Sequence, residues 1–359
     1  RIDAIINIKK KLPYKNYPSD REDGLCDLAL MLADAQGVGD FLKEMHEKTF
    51  KLHDSFAVGE VFNAKEDELP AFIGNDGYFS SIFDFSTTSY GKSDKGWYDC
   101  RRITPDEYKE CYFQSQEKIG DMGFYSNIIE NHDEPRGVSY YLPEDGLCLE
   151  GKKMLAVLYF FMRGLPFIYQ GQEIGMENLG ILPLEQIDDI SALDQYQVCV
   201  DAGFTSEEAL KIVSLYSRDN ARTPVQWDSS PNAGFTTGIP WLMVNPNYRE
   251  INVKAQEQDK NSLLSFYKQM IALRKNKDYK ETLVYGDVIP FERERHNLMA
   301  YHRKGEKDLL IIGNFQKEPQ TVTLPSSVKR VLLNNYPQLS QEGNTLQLCS
   351  YQALVLELV

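Results

Sequence analysis

The sequence predicts an α/β fold in residues 1–284 and an antiparallel β-sandwich in residues 285–359. In the first region, short apolar runs that end in polar residues alternate with stretches of helical periodicity. This pattern is typical of parallel strands joined by right-handed helical crossovers. In the second region, short runs of alternating hydrophobicity follow one another without a helical stretch between them, which indicates antiparallel strands. We therefore expect two domains.

The predicted elements of the first domain follow a regular order. A strand runs through the N-terminal residues toward Ile5, Ile6 and Ile8, and further strands end at Glu60, span residues 79–85, end at Asp133 and span residues 166–171. Helices are predicted over residues 38–53, 104–119, 152–162 and 262–276. Residues 9–23 are predicted to form a polar, proline-rich loop. Residues 172–258 are too long for an ordinary connection, so we expect this insertion to wall a functional site.

The second domain contains four runs with the alternation of a strand. They cover residues 298–302, 309–314, 320–324 and 353–358. Because side chains of a strand alternate between its two faces, such runs bury one face and expose the other. The sequence therefore predicts a sandwich of antiparallel strands.

Three predicted strand ends carry acidic residues. Asp3 lies two residues after Arg1, so both side chains point to one face of a strand, where the guanidinium favours an ionised carboxylate. Glu60 follows Gly59, whose lack of a side chain leaves room for a close approach. Asp133 follows Asn131 and His132, a density of polar groups that is costly to bury without a purpose. Since chemistry in barrel enzymes gathers at the carboxyl ends of strands, we expect these acids to be functional.

The motifs around these acids resemble the α-amylase family of glycoside hydrolases (family 13). They are Arg1-Ile-Asp-Ala4, Val58-Gly-Glu60 and Asn131-His-Asp-Glu-Pro-Arg136, in the order that the family shows. Further motifs at residues 170–176, 217–228, 232–238 and 244–248 are similar to the oligo-1,6-glucosidase, α-glucosidase and dextran-glucosidase branch. The likeness covers nearly all 359 residues.

This resemblance implies a role for each site residue. Asp3 matches the nucleophile, Glu60 the general acid/base and Asp133 the carboxylate that stabilises the transition state. We expect the side chains of these three residues to meet at one rim. The resemblance further implies that four residues bind the substrate: Arg1, His132, Arg222 and Arg136. An alternative role for Arg136 is to hold Glu134 or Asp133 in place.

The resemblance also implies a partial (β/α)8 TIM barrel. If the strand before Asp3 is the fourth, the chain carries strands four to eight and the C-terminal sandwich, which is the C-terminal two-thirds of such an enzyme. A part-built barrel leaves open sheet edges. We accordingly expect the isolated chain to be inactive and marginally stable, and the complete enzyme to be a monomer.

The implied activity is that of a retaining, exo-acting α-glucosidase on short oligosaccharides with α-1,4 or α-1,6 bonds. Ala4, which follows the nucleophile, favours α-1,4 or mixed action, whereas the other motifs favour α-1,6 bonds. Trehalose-6-phosphate hydrolase and sucrose-active enzymes of the same branch remain alternatives. A different class is the catalytically silent heavy subunit of amino-acid transporters, but this chain keeps the acids that such subunits lose.

Composition restricts the partners. The chain has 39 Lys and Arg against 53 Asp and Glu, a net charge of −14, which disfavours nucleic-acid binding. Six cysteines without a Cys-x-x-Cys pair, and no histidine at metal-ligand spacing, predict a reduced, cytoplasmic chain without a metal site. The longest apolar stretch, residues 155–169, is interrupted and shorter than the ~20 residues that span a bilayer. No cofactor is predicted, although the calcium site of the family would lie near its first strand.

Overall fold

The structure, a computed structural model, describes residues 1–20, 24–26, 28–62, 64 and 66–359. It separates into two compact units. The first unit contains Arg1–Phe85 and Ser115–Ser126, and the second contains Ser86–Gln114 and Asn127–Val359.

The first unit is built on short parallel strands. They are β1 (Val58–Gly59), β2 (Ser81–Phe83) and the start of β3 (Tyr125–Asn127). Val58 pairs with Ser81 and Ile82 with Tyr125, while Ile2 forms an isolated parallel bridge with Gly59. A side chain at Gly59 would come within 2.7 Å of Ile5 and 2.8 Å of Phe79, so only glycine allows this close packing. The predicted strand before Glu60 is confirmed, although it is only two residues long.

The predicted N-terminal strand is wrong beyond Ile2. Ala4 has a φ of 42°, a left-handed conformation that ends the extended chain, and Ile5–Asn7 form a 3-10 helix. Ile5 is fully buried whereas Ile8 is exposed, so the apolar run does not continue as a buried strand.

Helices of the first unit enclose these strands. They are α1 (Leu28–Asp34), α2 (Val38–Met45), α3 (Leu69–Ile73) and the last turn of α4 (Pro105–Ile119). The helix predicted over residues 38–53 is confirmed, because α2 continues as a π-helix (His46–Phe50) and a 3-10 helix (Lys51–His53). Residues 9–20 form neither helix nor strand, as predicted, and the remaining part of that predicted loop, residues 21–23, lies outside the described residues.

The second unit confirms three predicted helices. They are α4, α6 (Leu149–Phe160) and α11 (Leu263–Lys275), and α4 begins at Pro105, a residue suited to the first helical position. The other α-helices of this unit are α5 (Gly137–Tyr141), α7 (Ile190–Asp201), α8 (Ser206–Tyr216), α9 (Asp219–Arg222), α10 (Val253–Gln258) and α12 (Lys280–Tyr285). Of these, α7, α8, α9 and α10 lie in the insertion at residues 172–258.

Two predicted strands are much shorter than expected. The strand predicted to end at Asp133 stops at Asn127, and the strand predicted over residues 166–171 is reduced to β4 (Leu165–Pro166). The N–H of Phe167 donates to the carbonyl of Asn127, so the two segments still lie side by side. Asp133 consequently lies on a loop six residues beyond its strand.

The C-terminal residues form two antiparallel sheets, as predicted. One sheet has the order β5-β6-β7-β12-β9 and the other β10-β11-β8. The strands are β5 (Asp287–Pro290), β6 (Leu298–Lys304), β7 (Asp308–Asn314), β8 (Gln320–Thr323), β9 (Val328–Asn334), β10 (Ser340–Glu342), β11 (Thr345–Leu348) and β12 (Ala353–Leu358). Leu310 and Leu356 from the first sheet and Leu346 from the second belong to one buried apolar cluster, as in a sandwich.

One fully buried arginine and one partly buried arginine hold the sandwich to the helices. Arg303 on β6 is fully buried and donates to the carbonyls of Phe161 (2.6 Å), Leu283 (2.8 Å) and Gly286 (2.8 Å). Arg274 on α11 donates to the same carbonyl of Leu283 at 3.0 Å. These carbonyls lie at the ends of α6 and α12, where a helix has no internal partner for them and where a positive charge is favourable.

Within the described residues, no helix is both long enough and apolar enough to cross a bilayer. None of the six cysteines, all of which lie in the described part of the chain, forms a disulfide. Among the described side chains, no three His, Cys, Asp or Glu residues gather in a way that could hold a metal ion.

Replacing Arg303 with Met should lower the free energy of unfolding by about 3 kcal/mol, because it leaves buried carbonyls without donors. Denaturant-induced unfolding followed by circular dichroism measures this change. Arg330→Met is the matched control, since Arg330 is exposed and makes one hydrogen bond of 3.3 Å, to the Tyr279 hydroxyl. Equal stabilities of the two variants would show that the carbonyls find other partners.

Candidate active site

In the first unit, Arg1 joins two of the predicted catalytic acids. Its Nη1 donates to Asp3 Oδ1 at 2.6 Å, and its Nη2 donates to Glu60 Oε1 at 2.5 Å. The prediction that Arg1 pairs with Asp3 is confirmed, and the contact with Glu60 is new. Because Ile2 bridges Gly59, the two acids follow neighbouring extended segments, which brings their carboxyl groups together.

Ala4 completes this arrangement through its backbone. Its N–H donates to Glu60 Oε2 at 2.8 Å, so the second oxygen of that carboxyl group also has a donor. A positive φ is uncommon for a residue with a side chain, and such strain gathers at functional sites. Ala4 directly follows Asp3, the predicted nucleophile. Its left-handed turn therefore places a backbone donor that orients the Glu60 carboxyl group.

The two acids differ in their environment. The Asp3 side chain is 69% exposed, whereas the Glu60 side chain is 5% exposed. Burial raises the pKa of Glu60, and the neighbouring Asp3 carboxyl adds to the rise, against the opposing effects of the Ala4 N–H and the Arg1 charge. Asp3 is thus suited to act as an exposed anion and Glu60 to hold a proton.

In the second unit, Asp133 is surrounded by cationic and polar groups. Arg222 Nη2 donates to Asp133 Oδ1 at 2.7 Å, and His132 Nε2 lies 3.1 Å from Oδ2. Arg222 Nε also donates to the His132 carbonyl at 2.8 Å. The Asp133 side chain remains 40% exposed, so a ligand could still reach it. The structure therefore brings three of the predicted site residues together.

Arg218 is a member of this cluster that the sequence did not predict. Its Nη1 lies 3.7 Å from Asp133 Oδ1, while its Nη2 donates to Asp189 Oδ1 at 2.5 Å. Asp189 is buried, and its pKa is lowered by hydrogen bonds from Arg218, which outweigh the effect of burial. Arg218 precedes Arg222 by one helical turn, and this spacing was the available signal. Arg218 and Arg222 both lie in the insertion at residues 172–258.

Arg136 has a different place from the one predicted. It is fully buried, and its Nη1 donates to Glu130 Oε1 at 2.9 Å and to the Gln170 carbonyl at 2.8 Å. Its Nε donates to the Asn220 carbonyl at 3.2 Å. The predicted substrate contact of Arg136 is therefore wrong, because no part of the side chain is accessible. It also braces Glu130, and not Glu134 or Asp133 as the sequence suggested.

Glu134, directly after Asp133, is half-buried and paired with a lysine. Lys92 Nζ donates to its Oε1 at 2.9 Å. Burial raises the pKa of Glu134, and the positive charge of Lys92 opposes this effect. The pair ties the segment around Lys92 to the loop that carries Asp133.

The two clusters of acids belong to different units. The prediction that Asp3, Glu60 and Asp133 meet at one rim stays a prediction.

Comparison with known proteins defines the class to which this fold and these motifs belong. The family described as "Alpha amylase, catalytic domain" matches residues 1–286, and the "Alpha-amylase SusG C-terminal domain" matches residues 298–355. The chain therefore belongs to the α-amylase family of glycoside hydrolases, family 13.

Individual relatives show which members of the family the chain is similar to. The chain is 33% identical over 365 residues to an oligo-1,6-glucosidase of Bacillus cereus, which covers 100% of this chain and 65% of the relative. Among solved structures, trehalose-6-phosphate hydrolase of Bacillus licheniformis has a TM-score of 0.86 at 30% identity, covering 99% of this chain and 64% of the other. Trehalulose synthase of Pseudomonas mesoacidophila MX-45 has a TM-score of 0.83 at 34% identity, covering 91% and 60%. The chain thus spans less than two thirds of the length of these relatives.

The raised pKa of Glu60 predicts an unusual dependence of stability on pH. The native state holds this proton more tightly than the unfolded state, so ionisation of Glu60 above its unfolded pKa weakens the fold. Glu60→Gln should therefore stabilise the protein relative to the wild type at about pH 7 and lose this advantage at about pH 4. Urea denaturation at the two pH values measures the difference.

Glu207→Gln is the matched control with the opposite sign. Lys211 lowers the pKa of the exposed Glu207, so this substitution should weaken the protein slightly at neutral pH and have no effect in acid. If Glu60→Gln followed the same pattern as the control, the Arg1 pair and not burial would dominate at Glu60.

The buried pair of Arg136 and Glu130 predicts strong non-additivity. Arg136→Met leaves the Glu130 carboxylate buried without its cation and should cost roughly 3–5 kcal/mol of unfolding free energy. The double variant Arg136→Met, Glu130→Leu should recover much of that loss, because it removes both charges. A double-mutant cycle by denaturant unfolding measures the coupling, and additive losses would contradict it.

Proposed function

We propose that the protein is a retaining, exo-acting α-glucosidase of short oligosaccharides. The observation that carries this proposal is the contact of Arg1 with both Asp3 and Glu60. A double displacement requires one ionised, accessible carboxylate and one carboxyl group that keeps a proton, within about 5 Å of each other. The difference in exposure between Asp3 and Glu60 supports that division of roles.

In the first step, an oxygen of Asp3 attacks the anomeric carbon of the glucosyl unit. Glu60 donates its proton to the glycosidic oxygen, the bond between that oxygen and the anomeric carbon breaks, and the shortened sugar leaves. In the second step, Glu60, now ionised, takes a proton from water as the water oxygen attacks the anomeric carbon. The ester bond to Asp3 breaks, and glucose is released with its original anomeric configuration.

Asp133 is proposed as the carboxylate that binds the sugar hydroxyls more tightly as positive charge develops. Its partial exposure and its contact with Arg222 support a role in binding. His132 beside it is suited to donate a hydrogen bond to a hydroxyl group. Arg218, which also approaches Asp133, is proposed as a further contact of the sugar hydroxyls. Arg136 does not contact the sugar but holds the loop that carries His132 and Asp133 through Glu130.

We infer that the first domain, residues 1–284, corresponds to strands four to eight of a (β/α)8 barrel, and that residues 285–359 form the C-terminal sandwich domain. The parallel register of β1, β2 and β3 and the bridge at Ile2 support the order of the strands. Six cysteines without a disulfide support a reducing compartment such as the cytoplasm.

The bond that is cleaved is proposed to be α-1,4, α-1,6 or both. Ala4 after the nucleophile supports action on α-1,4 bonds, whereas the similarity to oligo-1,6-glucosidase supports α-1,6 bonds. The similarity to trehalose-6-phosphate hydrolase keeps that activity as the second candidate.

Hydrolysis of maltose, isomaltose, sucrose and trehalose 6-phosphate by the full-length protein that carries these residues tests the assignment. We expect release of α-glucose from maltose or isomaltose. Preference for trehalose 6-phosphate would select the second candidate, and inertness toward all four sugars would favour the non-enzymatic class.

The leaving group separates the two proposed roles. Glu60→Gln should lower kcat/KM for maltose by orders of magnitude but lower kcat/KM for a dinitrophenyl α-glucoside much less, because kcat/KM reports the first step, in which that leaving group needs no proton. Asp3→Asn should slow both substrates alike, since it removes the nucleophile. Steady-state kinetics measures the two ratios, and equal losses for Glu60→Gln on both substrates would remove Glu60 from the role of acid.

A further inference from the structure

Residues 226–247 of the insertion, which we call the aromatic loop, expose large apolar side chains. The side chains of Trp227, Phe235 and Trp241 are 51%, 50% and 69% exposed, and Ile239 is 99% exposed. Within the part of the chain that the structure describes, neither indole N–H has a hydrogen-bond partner. Exposed aromatic groups gathered in one short segment mark a surface that binds something.

The aromatic loop is also free of charge over most of its length. Residues 231–247 contain no Asp, Glu, Lys or Arg, although 26% of the whole chain is charged, which would place about four such residues among these 17. The loop contains instead hydroxyl and amide side chains such as Thr236, Thr237 and Asn232. This composition does not suit a polyanion or a charged peptide, for which binding sites carry opposite charges.

The backbone of the aromatic loop is locked in an unusual conformation. Asn232, Ala233 and Gly234 have φ angles of 55°, 56° and 66°, three consecutive left-handed residues of which only one is glycine. The Asn232 amide holds the turn by donating to the carbonyls of Thr236 (3.1 Å) and Gly238 (2.9 Å). Backbone strain of this kind persists only where the surroundings hold it, and it gathers at functional sites.

The two ends of the aromatic loop are tied together. Gln226 Nε2 donates to Asn247 Oδ1 at 3.1 Å, and Asn245 Nδ2 donates to the carbonyl of Glu177 at 2.9 Å. A loop that is closed at its base and locked at its tip presents its rings without a large loss of entropy on binding.

We propose that the aromatic loop is a second carbohydrate-binding surface, which takes the glucose units of a neutral α-glucan outside the catalytic residues. A glucose ring has an apolar face of C–H groups and a rim of hydroxyl groups. Exposed indole rings match the face, while uncharged amide, hydroxyl and backbone groups match the rim. The choice of an α-glucan, and not another neutral sugar, rests on the proposed function.

Titration with maltoheptaose and isomaltoheptaose, with a saturating amount of the small inhibitor deoxynojirimycin present, tests this surface separately from the catalytic pocket. Isothermal calorimetry gives the affinity, and fluorescence reports the rings directly because the chain has three tryptophans, Trp97, Trp227 and Trp241. We expect Trp227→Ala with Trp241→Ala to weaken heptaose binding at least tenfold. Trp97→Phe is the matched control, since Trp97 packs against Tyr216 at 5.8 Å, and it should bind as the wild type does.

The outcomes separate this inference from the proposed function. The double variant should still hydrolyse a nitrophenyl α-glucoside, while Asp133→Asn should lose hydrolysis and keep the inhibitor-insensitive binding of heptaose. Unchanged heptaose affinity in the double variant would overturn the surface, even in an active enzyme. If the double variant changed only the sedimentation of the protein, the aromatic loop would be a contact between copies of the chain, and the carbohydrate proposal would fail.

Discussion

The buried guanidinium of Arg136 is the contact on which the second-unit cluster depends. It joins Glu130, at the start of the loop that carries His132 and Asp133, to the carbonyl of Asn220 in α9. Arg222, in the same short helix, reaches Asp133. One inaccessible side chain therefore sets the distance between an accessible acid and its cationic partner. Residues such as Arg136, which do not touch a ligand but hold the residues that do, often decide how accurately a site is positioned.

The first unit uses an arginine in another way. Arg1 is about one third exposed and contacts two acids of different burial, so its charge is shared between a solvated and a desolvated carboxyl group. Desolvation dominates at Glu60, which is why an adjacent cation does not keep its pKa low. Arginine thus has a structural role in the second unit, where Arg136 holds two segments together, and an electrostatic role in the first unit, where Arg1 pairs with two acids.

The sequence was informative wherever local chemistry decides the structure. The start of α4 at Pro105 and the alternating strands of the sandwich follow from such local rules, and so does the pairing of Arg1 with Asp3. It failed where packing decides. The isoleucines after Ala4 read as a strand, yet the left-handed turn sends Ile5 into the core and Ile8 outward. Arg136 looked like a ligand contact, because sequence cannot show that Glu130, six residues away, is buried beside it. Arg218 lies one helical turn before Arg222, and that spacing alone does not show that it also approaches Asp133.

The carbonyl contacts of Arg303 have a consequence for the modularity of the chain. The residues that this arginine caps, Leu283 and Gly286, lie on both sides of the expected domain boundary at 284/285, and Phe161 belongs to a distant helix end. A recombinant chimera joined at that boundary would transfer the sandwich with Arg303, but without the ends of α6 and α12 whose carbonyls accept its hydrogen bonds. Exchange of C-terminal modules between homologues should then succeed only when the crossover carries α6, α12 and β6 as a single inherited block.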